Sequence, residues 1–335
     1  MAELSNQLMG ITVLAYLLAM VFYAAEYAFG ARSHIGRAAS RPARQLVGAG
    51  APADDAPIAP YEPEAEPAGD EPVAEAPGRD RGELVGKIAV GLTWLAFVLH
   101  LGTTVTRGIA ADRMPWGNMY EYILTVGLVG SAVWLGVLTR WPGIRHLGLF
   151  ATLALTVLLG ADGLIAYTPV GPLVPALNSY WFIIHVSSII LASGILLIGG
   201  VPAAMFLIRT GYDQGKRRFP YSLGAKVPAA ASLERLTFRL HAFGFPLFTF
   251  GALIAGPLWA EASWGRYWGW DPKEVWAFIS FVVYAAYLHA RATPSVKRTT
   301  ATWIALLGFV TMLMNLFGVN LFFTGLHSYA NAGGM

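Results

Sequence analysis

Long apolar runs recur along this chain, separated by short polar segments. They occupy residues 7–29, 84–106, 119–139, 147–166, 181–208, 240–260, 274–291 and 302–324. Each is close to or above the ~18 apolar residues that mark a bilayer-crossing helix. In hydrocarbon every backbone amide must find its partner inside the segment, so such runs predict helices. The expected fold is an all-α polytopic membrane protein with about eight transmembrane helices. Between the first two runs lies "APADDAPIAPYEPEAEPAGDEPVAEAPGRDRG". It is rich in Pro, Ala and acidic residues and cannot bury a core, which predicts a disordered linker over residues 31–83. The chain divides accordingly into an N-terminal helix (1–30), the linker, and a membrane domain of seven helices (84–335). No internal repeat is found.

Composition agrees with the pattern and narrows the function. Of 335 residues, 56% are hydrophobic and 13% charged; soluble domains are ~45–50% apolar. Cysteine is absent, which excludes disulfides, thiolate metal sites and a Cys nucleophile. The net charge of +3 does not indicate nucleic-acid binding, because the basic residues are scattered at helix ends. "MAELSNQ" lacks the basic start of a secretory signal. Lys and Arg set the orientation. Arg32, Arg37, Arg41 and Arg44, then Arg140 and Arg145, fall on one side with the group from Arg209 to Arg239 and with Arg291, Lys297 and Arg298. That side is predicted to be cytoplasmic and to hold the linker. Only Arg107, Arg113, Arg266 and Lys273 fall on the other. Both termini and the loop after the sixth helix then face outward from the plasma (inner) membrane.

That outward loop reads "WGRYWGWDPKEVW", residues 264–276. Its second half is a helix start: Asp271 as N-cap, Pro272 at the first helical position and Glu274 closing a capping box. Its first half is harder to explain as a membrane anchor. An aromatic belt is usually spread over several helices, whereas Trp264, Tyr267, Trp268 and Trp270 are crowded together, with Trp276 close behind. The 3–4 spacing of Trp264, Tyr267, Trp268 and Asp271 predicts a short interfacial helix with one ligand-facing side. Arg266 and Lys273 supply half of the basic residues on that side. An aromatic face, adjacent cations and a helix N-terminus suit a planar ligand with carboxylates, such as haem.

The chain has seven histidines. His34 and His146 sit in basic loops and are expected to be exposed; His100 is expected to pack within its helix bundle. His185, about five residues into the fifth helix, and His327, just beyond the eighth, share the depth of the Trp-rich loop. Two imidazoles at one level suit axial ligation of one iron. His289 lies ~22 Å below the start of its helix at ~1.5 Å per residue. His241, at the start of the sixth helix, is expected at a similar level, and an ionisable group in a span is a functional candidate.

With these residues in view, "WGRYWGWDPKEVWAFI" resembles the tryptophan-rich WWD signature of haem-handling proteins in cytochrome c biogenesis. "GFPLFTFGALIAGPLWAEASWG", "YAAYLHAR" and "GVNLFFTGLHSY" resemble the CcsA (ResC) family of System II cytochrome c synthases, over about residues 84 to 335. The resemblance implies an external WWD segment whose aromatic residues and Asp271 form a haem platform. His185 and His327 would be its external ligands and His289 a ligand at an inner site, with His241 an uncertain second. It implies that haem b is moved across the membrane and presented to the CxxCH motif of apocytochrome c, a holocytochrome c synthase activity. It also implies a CcsB/ResB partner and a thioredoxin-like thiol-reducing protein, in the lipid bilayer and without nucleic acid. A haem exporter without attachment activity and a b-type electron-transfer subunit are the alternatives.

Overall fold

A computed structural model describes residues 1–29 and 81–327. The predicted linker as far as residue 80, with His34 and Arg32 to Arg44, lies outside the described residues. Among these described residues ten α-helices follow in order: α1 (Ala2–Phe29), α2 (Arg81–Ala111), α3 (Met119–Arg140), α4 (Gly148–Ala161), α5 (Tyr180–Asp213), α6 (Ala230–Phe250), α7 (Gly256–Trp264), α8 (Pro272–Ala292), α9 (Arg298–Leu313) and α10 (Val319–Phe322). Short π-helical turns, Gly251–Ala255 and Met314–Gly318, join α6 to α7 and α9 to α10. Counting these joined pieces as single crossings gives eight helices long and apolar enough to span a membrane. Among the described residues there is no strand. The protein is an all-α, multi-pass membrane protein, as the hydrophobic pattern predicts.

The largest boundary difference concerns the sixth crossing, which starts at Ala230 instead of residue 240. Glu234, Arg235 and Arg239 dilute its first ten residues below a membrane-like run. The segment is helical because it is amphipathic: Leu233, Leu236, Thr237 and Leu240 are buried, while Arg235 and Arg239 stay exposed.

α1 and α2 pair antiparallel through small polar contacts, as membrane helices commonly do. Ser5 Oγ donates to Thr103 O (3.0 Å), Tyr16 OH meets His100 Nδ1 (3.4 Å) and Thr93 Oγ1 donates to Tyr23 OH (3.3 Å). His100 Nε2 lies 2.9 Å from Leu124 O on α3, so this buried ring joins three helices, as expected of a packing residue. At the far end of α1, Glu26 pairs with Arg145 at 2.5 Å, and Lys226 Nζ donates to Tyr27 O at 2.8 Å. The Pro142–Leu147 turn carrying Arg145 folds inward with them. His146, expected to be exposed, is consequently buried at 5% exposure.

α5 is central, and glycines set how closely its neighbours approach. A Cβ at Gly194 would lie 2.6 Å from Val129 Cγ1 and 2.9 Å from Gly130 N on α3. Gly199 faces His241 of α6, and Gly200 faces Phe309 of α9. Larger side chains would push these helices apart.

The Glu26–Arg145 pair makes α1 part of the bundle. Glu26→Ala leaves a buried guanidinium without its partner, a change that costs ~3–5 kcal/mol. Glu26→Ala is expected to lower the melting temperature of the detergent-purified protein well below that of Glu26→Gln. Equal melting of wild type and Glu26→Ala would show that α1 is not held by this contact.

Candidate functional site

A cavity with an empty volume of about 1130 Å³ opens at one end of the bundle. It lies among the starts of α3, α5 and α8 and the ends of the sixth and eighth crossings. Its walls carry a group of aromatic side chains, Trp116, Tyr122, Phe182, Trp259, Trp264 and Trp268 among them. His185 and His327, predicted to share a depth, both line it.

His185 projects from the first turns of α5, and its Nδ1 lies 2.8 Å from Gly251 O. A carbonyl can only accept, so in the neutral ring Nδ1 carries the proton and Nε2 keeps the lone pair. The same carbonyl takes the Gly256 amide across the π turn. π turns of this kind recur at functional sites. The imidazole stacks on Trp259, with centroids 5.4 Å apart and planes 11° from parallel. A Cβ at Gly256 would stand 3.2 Å from its ring, so glycine leaves the ring its place.

His327 comes from beyond α10 and is held through Asp271, whose Oδ2 lies 2.7 Å from its Nδ1. Its ring meets Trp264 edge-on at 5.1 Å and Trp259 at 5.5 Å. Trp259 therefore touches both imidazoles. It is 2% exposed, and its Nε1 donates to Ala176 O at 2.9 Å. Sequence reasoning passed over Trp259 because it reads as one more apolar residue within a span. Its place five residues before Trp264 was the available signal.

Asp271 does several things at once. It is the N-cap of α8, accepting from Lys273 N, while Glu274 Oε2 accepts from Asp271 N (3.1 Å) and Gly269 N (2.8 Å), completing the predicted capping box. Its Oδ1 also accepts from Leu326 N at 2.6 Å. A Cβ at Gly325 would collide with that oxygen. Burial pushes the Asp271 carboxyl up, but the hydrogen bonds from His327, Leu326 N and Lys273 N outweigh it and leave the group below its ordinary value.

The predicted interfacial helix over Trp264 to Asp271 does not form. Trp264 ends α7, Gly265 turns left-handed at φ 71°, and Trp270 also has a positive φ of 57°. The segment is a loop, and its aromatic residues divide. Trp264, Tyr267 and Trp268 line the cavity. Trp270 meets the edge of Trp268 at 5.7 Å but lies against Phe278 outside it, 66% exposed. Arg266 is exposed and folds over Gly269, where a Cβ would not fit. Trp276, one turn into α8, does not line the cavity either. Lys273 does, and its Nζ donates to Asn315 O at 3.0 Å.

The opposite wall rests on a buried charge cluster that sequence reasoning used only for orientation. Glu121, fully buried on α3, accepts from Arg107 Nε (3.1 Å), Arg113 Nη1 (2.5 Å) and Gly117 N (2.9 Å). Its own amide donates to the Asn118 cap at 2.9 Å. These contacts hold the lining residues Trp116 to Met119 in place. The spacing of Asn118 and Glu121, a helix-start pattern, was the available signal.

The two inner histidines are not brought together. His289 lies on an exposed face of α8 with Phe278 and Val282. His241 is fully buried, its Nδ1 2.8 Å from Thr237 O, between Tyr284 (5.5 Å) and Tyr287 (5.0 Å) on the buried face of α8. Because α6 starts at Ala230, His241 sits ~16 Å along its helix and not at its start.

Over residues 116–327 the chain matches the family described as Cytochrome C assembly protein. It is 37% identical over 261 residues to "Cytochrome c biogenesis protein CcsA" of Guillardia theta, covering 72% of this chain and 85% of that one. A protein of the same name from Gloeobacter violaceus is 31% identical over 300 residues, covering 74% and 88%. Among solved structures, "Cytochrome c Heme Lyase CcmF" shares the fold at a TM-score of 0.58 and 17% identity, over 99% of this chain and 48% of that chain.

Gly325 provides a local test of the His327 anchor. Gly325→Val is expected to drive Asp271 and the 325–327 segment apart, and so to raise backbone hydrogen exchange over residues 319–327 while α5 keeps its protection. Unchanged exchange there would mean that His327 is held by other contacts.

Proposed function

Because the chain belongs to the cytochrome c assembly protein family, we propose that its role in cytochrome c biogenesis is that of the haem-presenting subunit of a System II synthase. Haem b is the substrate held in the cavity, and the observation that carries this reading is the pair of imidazoles lining it. Each has its Nδ1 committed, one to Gly251 O and one to Asp271. The ligating nitrogen is therefore Nε2 in both, since a hydrogen bond at the other ring nitrogen orients a metal-binding histidine and raises its basicity.

The aromatic walls suit a macrocycle, with Trp259, Trp264 and Trp268 offering ring faces and edges. Lys273 is the cavity's cation for a propionate. Arg266, Trp270 and Trp276 serve the rim and the helix start. The WWD segment and the cavity face outward, where apocytochrome c brings its reduced CxxCH, kept reduced by a thioredoxin-like protein. Each thiol S–H adds across a haem vinyl group, sulfur to one carbon and hydrogen to the other, with no net redox change. With no cysteine of its own, the chain forms no competing adduct. Its contribution is position and axial ligation.

His289, exposed on α8, is the inner ligand, and its counterpart comes from a CcsB/ResB subunit in the plasma membrane. His241 is not that counterpart, since Tyr284 and Tyr287 enclose it on the other face of α8. The membrane domain from about residue 84 carries the haem chemistry, and residues 31–83 connect α1 to it on the cytoplasmic side.

His185→Ala and His327→Ala are each expected to reduce copurified haem by tenfold or more and to stop cytochrome c maturation when the chain is expressed with its partner. Added imidazole is expected to restore the Soret band in His185→Gly. Trp268→Ala with Trp270→Ala is expected to weaken haem retention without lowering the yield of folded protein. Wild-type haem content and cytochrome c yield in both His variants would sink the assignment.

A further inference from the structure

A second cavity, with an empty volume of about 1060 Å³, lies at the opposite ends of α3 and α6 from the aromatic one. Arg140, Trp141, Arg235 and Arg239 line it, together with Pro228, Ala229 and Ser232 around the start of α6. Among the described residues, no acidic side chain lines it. Arg235 and Arg239 are one turn apart on α6, a spacing at which like charges repel. Arg140 and Arg239 lie over the Trp141 ring at 5.9 and 5.1 Å, and Arg235 donates to Ser232 Oγ at 3.3 Å. The nearby carboxylate, Glu234, is engaged by Arg291.

Three guanidiniums therefore converge on one groove with no counter-charge from the described residues in its lining. The groove sits where the crossings Met119–Arg140, Pro142–Ala166 and Ala230–Trp264 begin or end, which is the headgroup plane of a bilayer. The Trp141 ring is already covered by guanidinium groups, which disfavours a stacked planar ligand and favours a compact anion.

We propose that this groove binds the phosphate of an anionic phospholipid headgroup. Arg140, Arg235 and Arg239 pair with the phosphodiester, and Trp141 packs at the interface beside the glycerol. Each basic residue near an anionic surface contributes modestly, so losing all three is expected to weaken binding on the order of 100-fold.

The test uses the purified full chain, with phosphatidylglycerol, phosphatidylcholine and inorganic phosphate as separate probes. Native mass spectrometry of wild type is expected to show one phosphatidylglycerol that survives delipidation, and added phosphatidylglycerol is expected to raise the melting temperature where phosphatidylcholine does not. The Arg140→Gln, Arg235→Gln, Arg239→Gln triple variant is expected to lose both effects while keeping its haem spectrum, and the corresponding triple Lys variant is expected to retain most of them. The wild-type comparison decides the matter even if the triple variant folds poorly. Equal retention of phosphatidylcholine, or inorganic phosphate giving the same protection at the same concentration, would overturn the proposal.

Discussion

Asp271 is the carboxylate on which the site depends. It is the N-cap of α8, it accepts the Leu326 amide, and it holds His327 by Nδ1. A helix start, the segment beyond α10 and a candidate ligand thus share two oxygens. That sharing requires the group to be ionised, since only a carboxylate offers acceptors to all of them. Its donors supply this condition: burial alone would favour the neutral form, and the hydrogen bonds it receives outweigh that and lower its pKa. The sign follows. A carboxyl whose folded value is depressed stabilises the fold above its unfolded value, near ~3.9, and loses that contribution as pH falls through the folded value. Around neutral pH the anchor is fully present.

His185 meets the same requirement by different means. It has no carboxylate beside it. Its Nδ1 uses a backbone carbonyl within the π turn at Gly251, where the regular hydrogen-bond ladder of the sixth crossing is interrupted. A second π turn, Met314–Gly318, contains Asn315, whose carbonyl accepts from Lys273. In a membrane protein an interrupted ladder persists where it is buried in protein or lines a cavity, and both of these turns border the same one. At this cavity, interrupted backbone lies where polar side chains need partners.

How much of this could be read in the sequence depended on whether a feature was local. The eight crossings are local, because each is long and apolar in itself. The Asp271 cap is also local, since its partners lie within three residues. The amphipathic start of α6 was not legible, because a window that averages hydropathy sees three charged side chains and not the face they leave apolar. The loop after Trp264 was misjudged as a helix: the 3–4 spacing was present, but Gly265 ends α7 in a left-handed conformation. A common depth for His185 and His327 was expected, and both line one cavity. What joins them, Trp259, was not expected, because an indole between two imidazoles is a tertiary fact carried by residues far apart in the chain. The same holds for Glu121, whose role appears only once Arg107, Arg113 and the Gly117 amide converge on it.

The commitments of the charged groups also limit what the cavity can do chemically. Glu274 spends an oxygen on the Gly269 and Asp271 amides, Asp271 is spent on the helix cap and His327, and Glu121, behind the wall, is spent on two arginines and an amide. No carboxylate there is placed as a general base, and there is no thiol anywhere in the chain. What remains are two imidazoles fixed in rotation by their Nδ1 contacts and a wall of rings fixed by packing. What such a site offers a ligand is a fixed geometry, and orientation alone is a large effect in general, reaching effective molarities of ~10⁵–10⁸ M. The buried network around Glu121 holds Trp116 to Met119 and so keeps one wall of the cavity from relaxing.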